Sequence, residues 1–250
     1  MQTTTINALY TDPRLIALYD VLNAGCADHL FYTEQIGTES RAVVDIGCGT
    51  GVLAVRLAQL GHSVTGIDPA AAMLEVARAR RGGGQVCWLG GTAADLPLDA
   101  RFDVALMTGH AFQCLLTDEA VQEMLGAVRR HLRPGGVLMF ESRNPASTPW
   151  QRWSSKQSRQ ELALADGERL VVWHALQDVD DELVCFDTHY HFQGADVRLC
   201  SRSVLRFMSH AAIAGQLRLA GVKRLDWYGD WRGGALTMQS AEMIAMARFD

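Results

Sequence analysis

Residues 43–51 read Val-Val-Asp-Ile-Gly-Cys-Gly-Thr-Gly, and this stretch limits the possible folds more than any other. Val43, Val44 and Ile46 make a short apolar run of the kind buried in a sheet, and Asp45 sits near its end. Three glycines at alternate positions then carry the chain into a helix expected to begin near Val52. Such a strand, tight turn and helix start brings backbone N–H groups close to a small molecule, at the sheet edge where open α/β folds bind ligands. A side chain at Gly47 or Gly49 is expected to block a ligand, so the turn reads as one wall of a nucleotide-like pocket.

The spacing narrows the nucleotide. A dinucleotide fingerprint has the pattern Gly-x-Gly-x-x-Gly, whereas here the glycines fall at 47, 49 and 51 and residue 52 is Val, which argues against a nicotinamide-linked oxidoreductase. A second strand, Ser63 to Ile67, leads into Asp68, 17 positions after Gly51 and placed to accept hydrogen bonds from both hydroxyls of a ribose.

Asp45-Ile46-Gly47-Cys48-Gly49-Thr50-Gly51 followed by Gly66-Ile67-Asp68-Pro69 resembles the first two motifs of the class I S-adenosylmethionine-dependent methyltransferases of the small-molecule type. The resemblance extends over roughly residues 40–145. It implies a Rossmann-like sheet of seven mainly parallel strands with helices on both faces. S-adenosylmethionine is the implied methyl donor and S-adenosylhomocysteine the product. Asp45, Gly47, Cys48, Gly49, Gly51 and Asp68 are the implied cofactor residues, and Thr92 and Ala93 occupy the adenine-binding loop. That loop normally carries an aspartate where this chain has Thr92, whose hydroxyl is a weaker acceptor. In the resembled family, N-terminal helices cover the cofactor and their tyrosines reach it; Tyr10, Tyr19 and Tyr32 qualify, Tyr19 foremost.

The fourth strand, Val104 to Met107, ends in Thr108-Gly109-His110, at the carboxyl edge where a bound sulfonium would be presented. Thr108 is therefore placed beside the cofactor and His110 beside the acceptor. Methyl transfer from a sulfonium is an in-line displacement with an activated leaving group, so the protein mainly supplies alignment and a dry pocket. His110 is suited to take a proton from the acceptor or to orient it.

Beyond the fifth strand, Val137 to Glu141, the composition changes. Arg143 and the Trp150-Gln151-Arg152-Trp153 run read as an acceptor-pocket wall. Three alternating runs follow, Glu168 to Val179, Glu182 to Phe192 and Val197 to Met208, and read as an inserted antiparallel sheet. Period two puts Asp187, His189 and His191 on one face; with that face inward, His189 and His191 line the substrate pocket. No further ligand stands at a metal-site spacing, so no metal is expected.

The expected organisation is an N-terminal helical cover (1–40), a cofactor-binding Rossmann-like domain (41–145 and 209–250) and an antiparallel β substrate cap (146–208). A net charge of −5 over 250 residues argues against nucleic acid as acceptor. Six cysteines without a Cys-x-x-Cys pair fit reduced thiols, and no leader or eighteen-residue apolar run stands out, so a cytoplasmic protein without membrane contact, monomer or homodimer, is expected. The resulting expectation is methyl transfer to an oxygen or nitrogen of a small molecule. A second functional class, a non-catalytic sensor or scaffold that binds S-adenosylmethionine or S-adenosylhomocysteine, follows from Thr92.

Overall fold

The computed structural model describes residues 7–23, 25, 27–164 and 167–249. Helix α1 (Pro13–Leu22) is capped by Asp12, whose side chain accepts the N–H of Arg14, with proline in the first turn. After α2 (Ala27–Ile36), strand and helix alternate through β1 (Ala42–Ile46), α3 (Val52–Gln59), β2 (Ser63–Asp68), α4 (Ala71–Ala79) and β3 (Cys87–Gly90). The alternation continues with β4 (Phe102–Met107), α5 (Asp118–His131) and β5 (Leu132–Arg143). Four strands follow, β6 (Gln160–Ala163), β7 (Arg169–Asp180), β8 (Leu183–Phe192) and β9 (Val197–Arg206), and then α6 (His210–Leu219), β10 (Arg224–Tyr228) and β11 (Glu242–Arg248).

Seven of these strands form one sheet in the order β10-β11-β5-β4-β1-β2-β3. Only β11 runs antiparallel to its neighbours. Chain order reverses at β1, which lies between β2 and β4, so a crevice opens outside the carboxyl ends of β1 and β4. Val44, Ile46, Ala105, Leu138 and Phe140 pack on one face against Val121, Leu125 and Val128 of α5 and Ile213 and Leu217 of α6. Val43, Val104, Leu106 and Met139 pack on the other against Phe31 and Tyr32 of α2 and Leu53 and Leu57 of α3. Period two in the strands thus fills two apolar layers, each wholly buried aliphatic side chain contributing about 1.5–3 kcal/mol. In α5, Thr117 caps the first turn, acids follow it, and Arg129, Arg130 and His131 lie in the last turn, which suits the helix dipole at both ends.

The second sheet is antiparallel, in the order β6-β7-β8-β9. Three of its strands follow the expected alternating runs. The fourth, β6, is a short edge strand of mostly exposed residues, so no apolar alternation marks it. Tyr190 of β8 and Leu170 and Val172 of β7 pack against Leu15 and Leu18, which fastens this sheet to α1. The bounds of β3 and β5 have local causes. Gly83–Gln85 forms a helical turn, so β3 begins only at Cys87; and β5 starts at Leu132, because Leu132 already pairs with Phe102 ahead of a register shift. Among the described residues no helix is long and apolar enough to cross a membrane.

Candidate active site

The three turn glycines all have positive φ (72°, 53° and 76°), and their surroundings assign them different tasks. A Cβ on Gly47 would lie 3.1 Å from the Ala111 Cβ, and one on Gly51 would lie 2.4 Å from the Trp88 ring. Those two positions serve packing within the protein, which corrects the expectation that Gly47 is bare for a ligand. At Gly49 the nearest atom is a ring carbon of Tyr19, 3.9 Å away, so this glycine faces the crevice beneath Tyr19.

Asp68, at the end of β2, holds the turn from the side. Its Oδ2 accepts the Gly49 N–H at 2.9 Å and its Oδ1 accepts the Ala70 N–H at 2.8 Å. Burial pushes its pKa up, and those two N–H groups oppose the shift. Asp45 is 1% exposed and its Oδ1 has no partner among the described residues. Burial first, then the charges of Asp68 and Glu141, push its pKa up to about 7.

Helix α1 closes over this turn. Thr50 donates to Asp20 of α1 at 2.6 Å, Arg80 pairs with the same carboxylate, and the Arg80 Nε donates to the Thr50 carbonyl at 2.9 Å. Arg80 therefore clamps α1 to the turn. Tyr19 stands over Gly49, with the Tyr10 ring 6.3 Å from its own. Burial and the nearby Asp68 push the Tyr19 phenol up to about 12. Tyr32 goes elsewhere: it is fully buried, and its hydroxyl donates to Glu141 Oε2 at 2.5 Å.

At the carboxyl edge, His110 adopts a left-handed backbone (φ 60°) that aims its N–H at Glu141 Oε1, 2.7 Å away. Its Nε2 lies 2.9 Å from Glu242 Oε2, at the start of β11. One histidine thus bridges two carboxylates. Arg143, the last residue of β5, stands opposite Glu242 in the strand register and donates from Nη1 to Gln113 Oε1 at 3.0 Å. Gln113 is wholly buried and reaches across to the Arg206 carbonyl of β9, tying the edge of the large sheet to the small one. Cys114 next to it is exposed to water, yet burial pushes its thiol up, the combination expected inside a cleft.

The remaining expected site residues separate into three groups. Thr108 follows the last residue of β4, two positions before His110. The Thr92 hydroxyl bonds locally, accepting the Ala94 N–H at 3.3 Å and lying 3.1 Å from Asp95 Oδ2, because it caps the helical turn Ala93–Asp95; the Ala93 side chain is in the core. Trp150 packs edge-on against Phe207, ring centroids 4.7 Å apart. His189 and His191 are corrections. Thr188 and Tyr190 take the inward side of β8, so its odd-numbered residues face outward: His189 stacks on Trp173 and His191 bonds Asp196 in the β8–β9 turn. Asp187, His189 and Cys200 lie close together on that outer face, where Arg202 occupies both Asp187 oxygens at 2.7 and 2.8 Å. Sequence reasoning missed Glu141, Glu242 and Gln113. For Glu141, a carboxylate ending an otherwise apolar strand was a usable signal.

Residues 43–136 match the sequence model of a methyltransferase domain family. Over 239 residues, 94% of this chain and 96% of the relative, the chain is 25% identical to the cypemycin N-terminal methyltransferase of a Streptomyces species. Its fold is similar to that of the CcbJ methyltransferase from Streptomyces caelestis, with a TM-score of 0.76 and 22% identity over 94% of this chain and 96% of that one. An S-adenosylmethionine-dependent methyltransferase from Clostridium acetobutylicum gives a TM-score of 0.76 at 16% identity, over 96% and 99% of the two chains. The strand order with its single antiparallel strand and the glycine turn with its acidic partner are those of the class I S-adenosylmethionine-dependent methyltransferase fold, and the family match places a methyltransferase domain over residues 43–136.

Proposed function

We propose that the protein methylates an oxygen or nitrogen atom of a small molecule, and that the atom is an amine nitrogen. The observation that carries this reading is the bridge from Glu141 through His110 to Glu242 at the carboxyl edge of the sheet. An amine is cationic at neutral pH, and two carboxylates draw a cation to this edge. Only the neutral amine has the lone pair that attacks, so a proton must leave first. His110, oriented by Glu242, is the group that takes it. The full-length relative, by its name, is an N-terminal methyltransferase, which supports nitrogen over oxygen.

The donor fits the crevice on two counts: Gly49 leaves open the side beneath Tyr19, and the unpartnered Oδ1 of Asp45 is an acceptor awaiting a donor. On this reading Asp45, Cys48, Gly49 and Thr108 hold the methionine portion, Asp68 the ribose, and Thr92 and Ala93 the adenine side, with Tyr19 as a lid. When bound, the donor supplies an activated methyl group. The protein's own residues align the acceptor in line with it and exclude water. The four strands β6 to β9, within residues 146–208, cap the acceptor pocket, and of the segment 1–40 helix α1 covers the donor.

The test is incubation with S-adenosylmethionine and matched panels of primary amines, secondary amines and alcohols, followed by mass spectrometry for the gain of one methyl group. Methylated amines with unreacted alcohols are expected. Methylation of alcohols alone would overturn the nitrogen reading.

A further inference from the structure

Arg143 has a guanidinium whose surroundings are incomplete. Glu141 lies two residues before it on the same strand face, and Glu242 stands opposite in the register of β5 and β11. Both acids are committed elsewhere, Glu141 to the Tyr32 hydroxyl and the His110 N–H, Glu242 to the His110 ring. Among the described residues no carboxylate comes within 4.0 Å of the Arg143 guanidinium. Its one side-chain partner is the neutral amide of Gln113, which uses one of five donors. A guanidinium taken out of bulk water and left with one neutral acceptor is costly, and an anion arriving from outside removes that cost.

The group is also reachable. Arg143 retains part of its accessible surface, although burial is the main influence on its guanidinium and pushes its pKa down. Cys114 shows the same pairing of water access with burial, and burial likewise raises the Tyr10 phenol, next to which the Cys114 thiol and Tyr19 lie. From the small sheet, His174 faces this space: its Nδ1 bonds the Thr188 hydroxyl at 3.0 Å, and burial first, then the charge of Arg143, hold its imidazole below the ordinary value. Cys114, His174 and Tyr10 thus lie around Arg143, with Glu242 opposite it in the strand register and His110 bonded to Glu242.

We propose that Arg143 seats a carboxylate of the methyl acceptor, so that the substrate is an amino acid or a similar zwitterion whose amine sits at His110 and Glu242 while its carboxylate meets the guanidinium. The assignment of the amine rests on the function proposed above; the assignment of the carboxylate rests on Arg143 itself. Directly paired residues on antiparallel strands have Cβ atoms about 5 Å apart, which suits an amine and a carboxylate separated by one to three carbons. The planar guanidinium matches a carboxylate with two parallel hydrogen bonds.

The experiment uses the full chain loaded with S-adenosylhomocysteine and titrates it calorimetrically with acid and amide pairs: acetate and acetamide, propionate and propionamide, hydrocinnamate and hydrocinnamamide, and inorganic phosphate. At least one acid is expected to bind ten-fold or more tightly than its amide, and Arg143→Gln is expected to abolish that preference while S-adenosylhomocysteine binding changes less than three-fold. Arg143→Lys keeps the charge without the planar fork and is expected to lower the preference at least three-fold, which decides the matter if the glutamine variant does not fold. No acid preference in the unmodified protein, a preference that survives both substitutions, or phosphate binding more tightly than every acid would overturn the proposal. Acid preference without methylation of any amine would leave the carboxylate site standing and remove the amine reading. Methylation of amines with no acid preference would do the reverse.

Discussion

The Gly49 N–H donates to Asp68 Oδ2 at 2.9 Å, so a carboxylate proposed to hold the ribose also braces the turn beneath Tyr19. Replacing Asp68 by Ala removes this bond and the one to Ala70 together. Binding of S-adenosylmethionine and S-adenosylhomocysteine is expected to weaken by about 1–3 kcal/mol, the cost of leaving the partners of a lost hydrogen-bonding group unsatisfied. Calorimetric titration checks this, and unchanged affinity would remove Asp68 from the donor site.

His110 and Glu242 are expected to act as a unit. His110→Ala should lower kcat by about 100-fold or more, the low end of general acid–base effects, with little change in donor affinity. Glu242→Gln keeps the shape but not the charge, and its kcat loss should not add fully to that of His110→Ala in the double variant, because both act through one hydrogen bond. Full additivity in steady-state kinetics would show that the pair is not coupled.

What the sequence made legible, and what it hid, follows from how far apart the partners lie along the chain. Asp45, the glycine turn and Asp68 fall within one strand-turn-helix-strand unit, so local spacing placed them. Glu242 meets His110 from 132 residues away, across a strand pairing that no local period announces. The large sheet was readable because β1, β4 and β5 are apolar runs buried on both faces. In β8 the reading of period two was right and the choice of face was wrong. Tyr190 and Phe192 pack toward Leu15 and Leu18, and that leaves His189 and His191 outside. Taken alone, Thr92 reads as a weak acceptor, whereas Asp95 three residues on turns it into a helix cap.

Asp45 couples stability to pH. Its pKa is pushed up to about 7, so between the ordinary carboxylate value and about pH 7 the folded protein holds a proton that the unfolded chain has released. Stability contributed by this group is therefore full in acid and is lost as pH rises through about 7. Asp45→Asn removes that slope. Melting temperatures of the free protein from pH 5 to 8 are expected to fall less steeply for Asp45→Asn than for the unmodified chain, and parallel curves would mean that Asp45 titrates normally.

His62 has the opposite sign. It is 5% exposed, neither ring nitrogen has a partner among the described residues, and burial, helped by the charge of Arg41, lowers its pKa. The unfolded chain then binds a proton that the folded one refuses, so its contribution is present above about pH 6.5 and is lost as pH falls. His62→Leu removes two unpaired buried nitrogens at similar volume and is expected to raise the melting temperature by a margin that grows from pH 8 to pH 5.5. A margin independent of pH would assign the gain to packing alone.

The clamp of Asp20 on Thr50 and Arg80 links the N-terminal cover to the glycine turn, and it is the polar tie that fixes α1 above Gly49. Asp20 and Arg80 are only partly buried, so the ion pair itself adds little to global stability. Its effect should be local: without it, α1 is held by Leu15 and Leu18 against the small sheet and by Ile16 and Tyr19 against Ala70 and Met73, apolar contacts that leave Thr50 of the turn untied to the helix. Asp20→Ala is therefore expected to change the melting temperature little, to raise the S-adenosylmethionine dissociation constant several-fold, and to speed amide hydrogen exchange in residues 13–22 of the free protein. Saturating donor should restore much of the protection, since bound donor and clamp hold the same helix down. Faster exchange throughout the sheet would instead mean that Asp20 supports the whole fold, and unchanged exchange in α1 would show that the apolar contacts alone hold the cover closed.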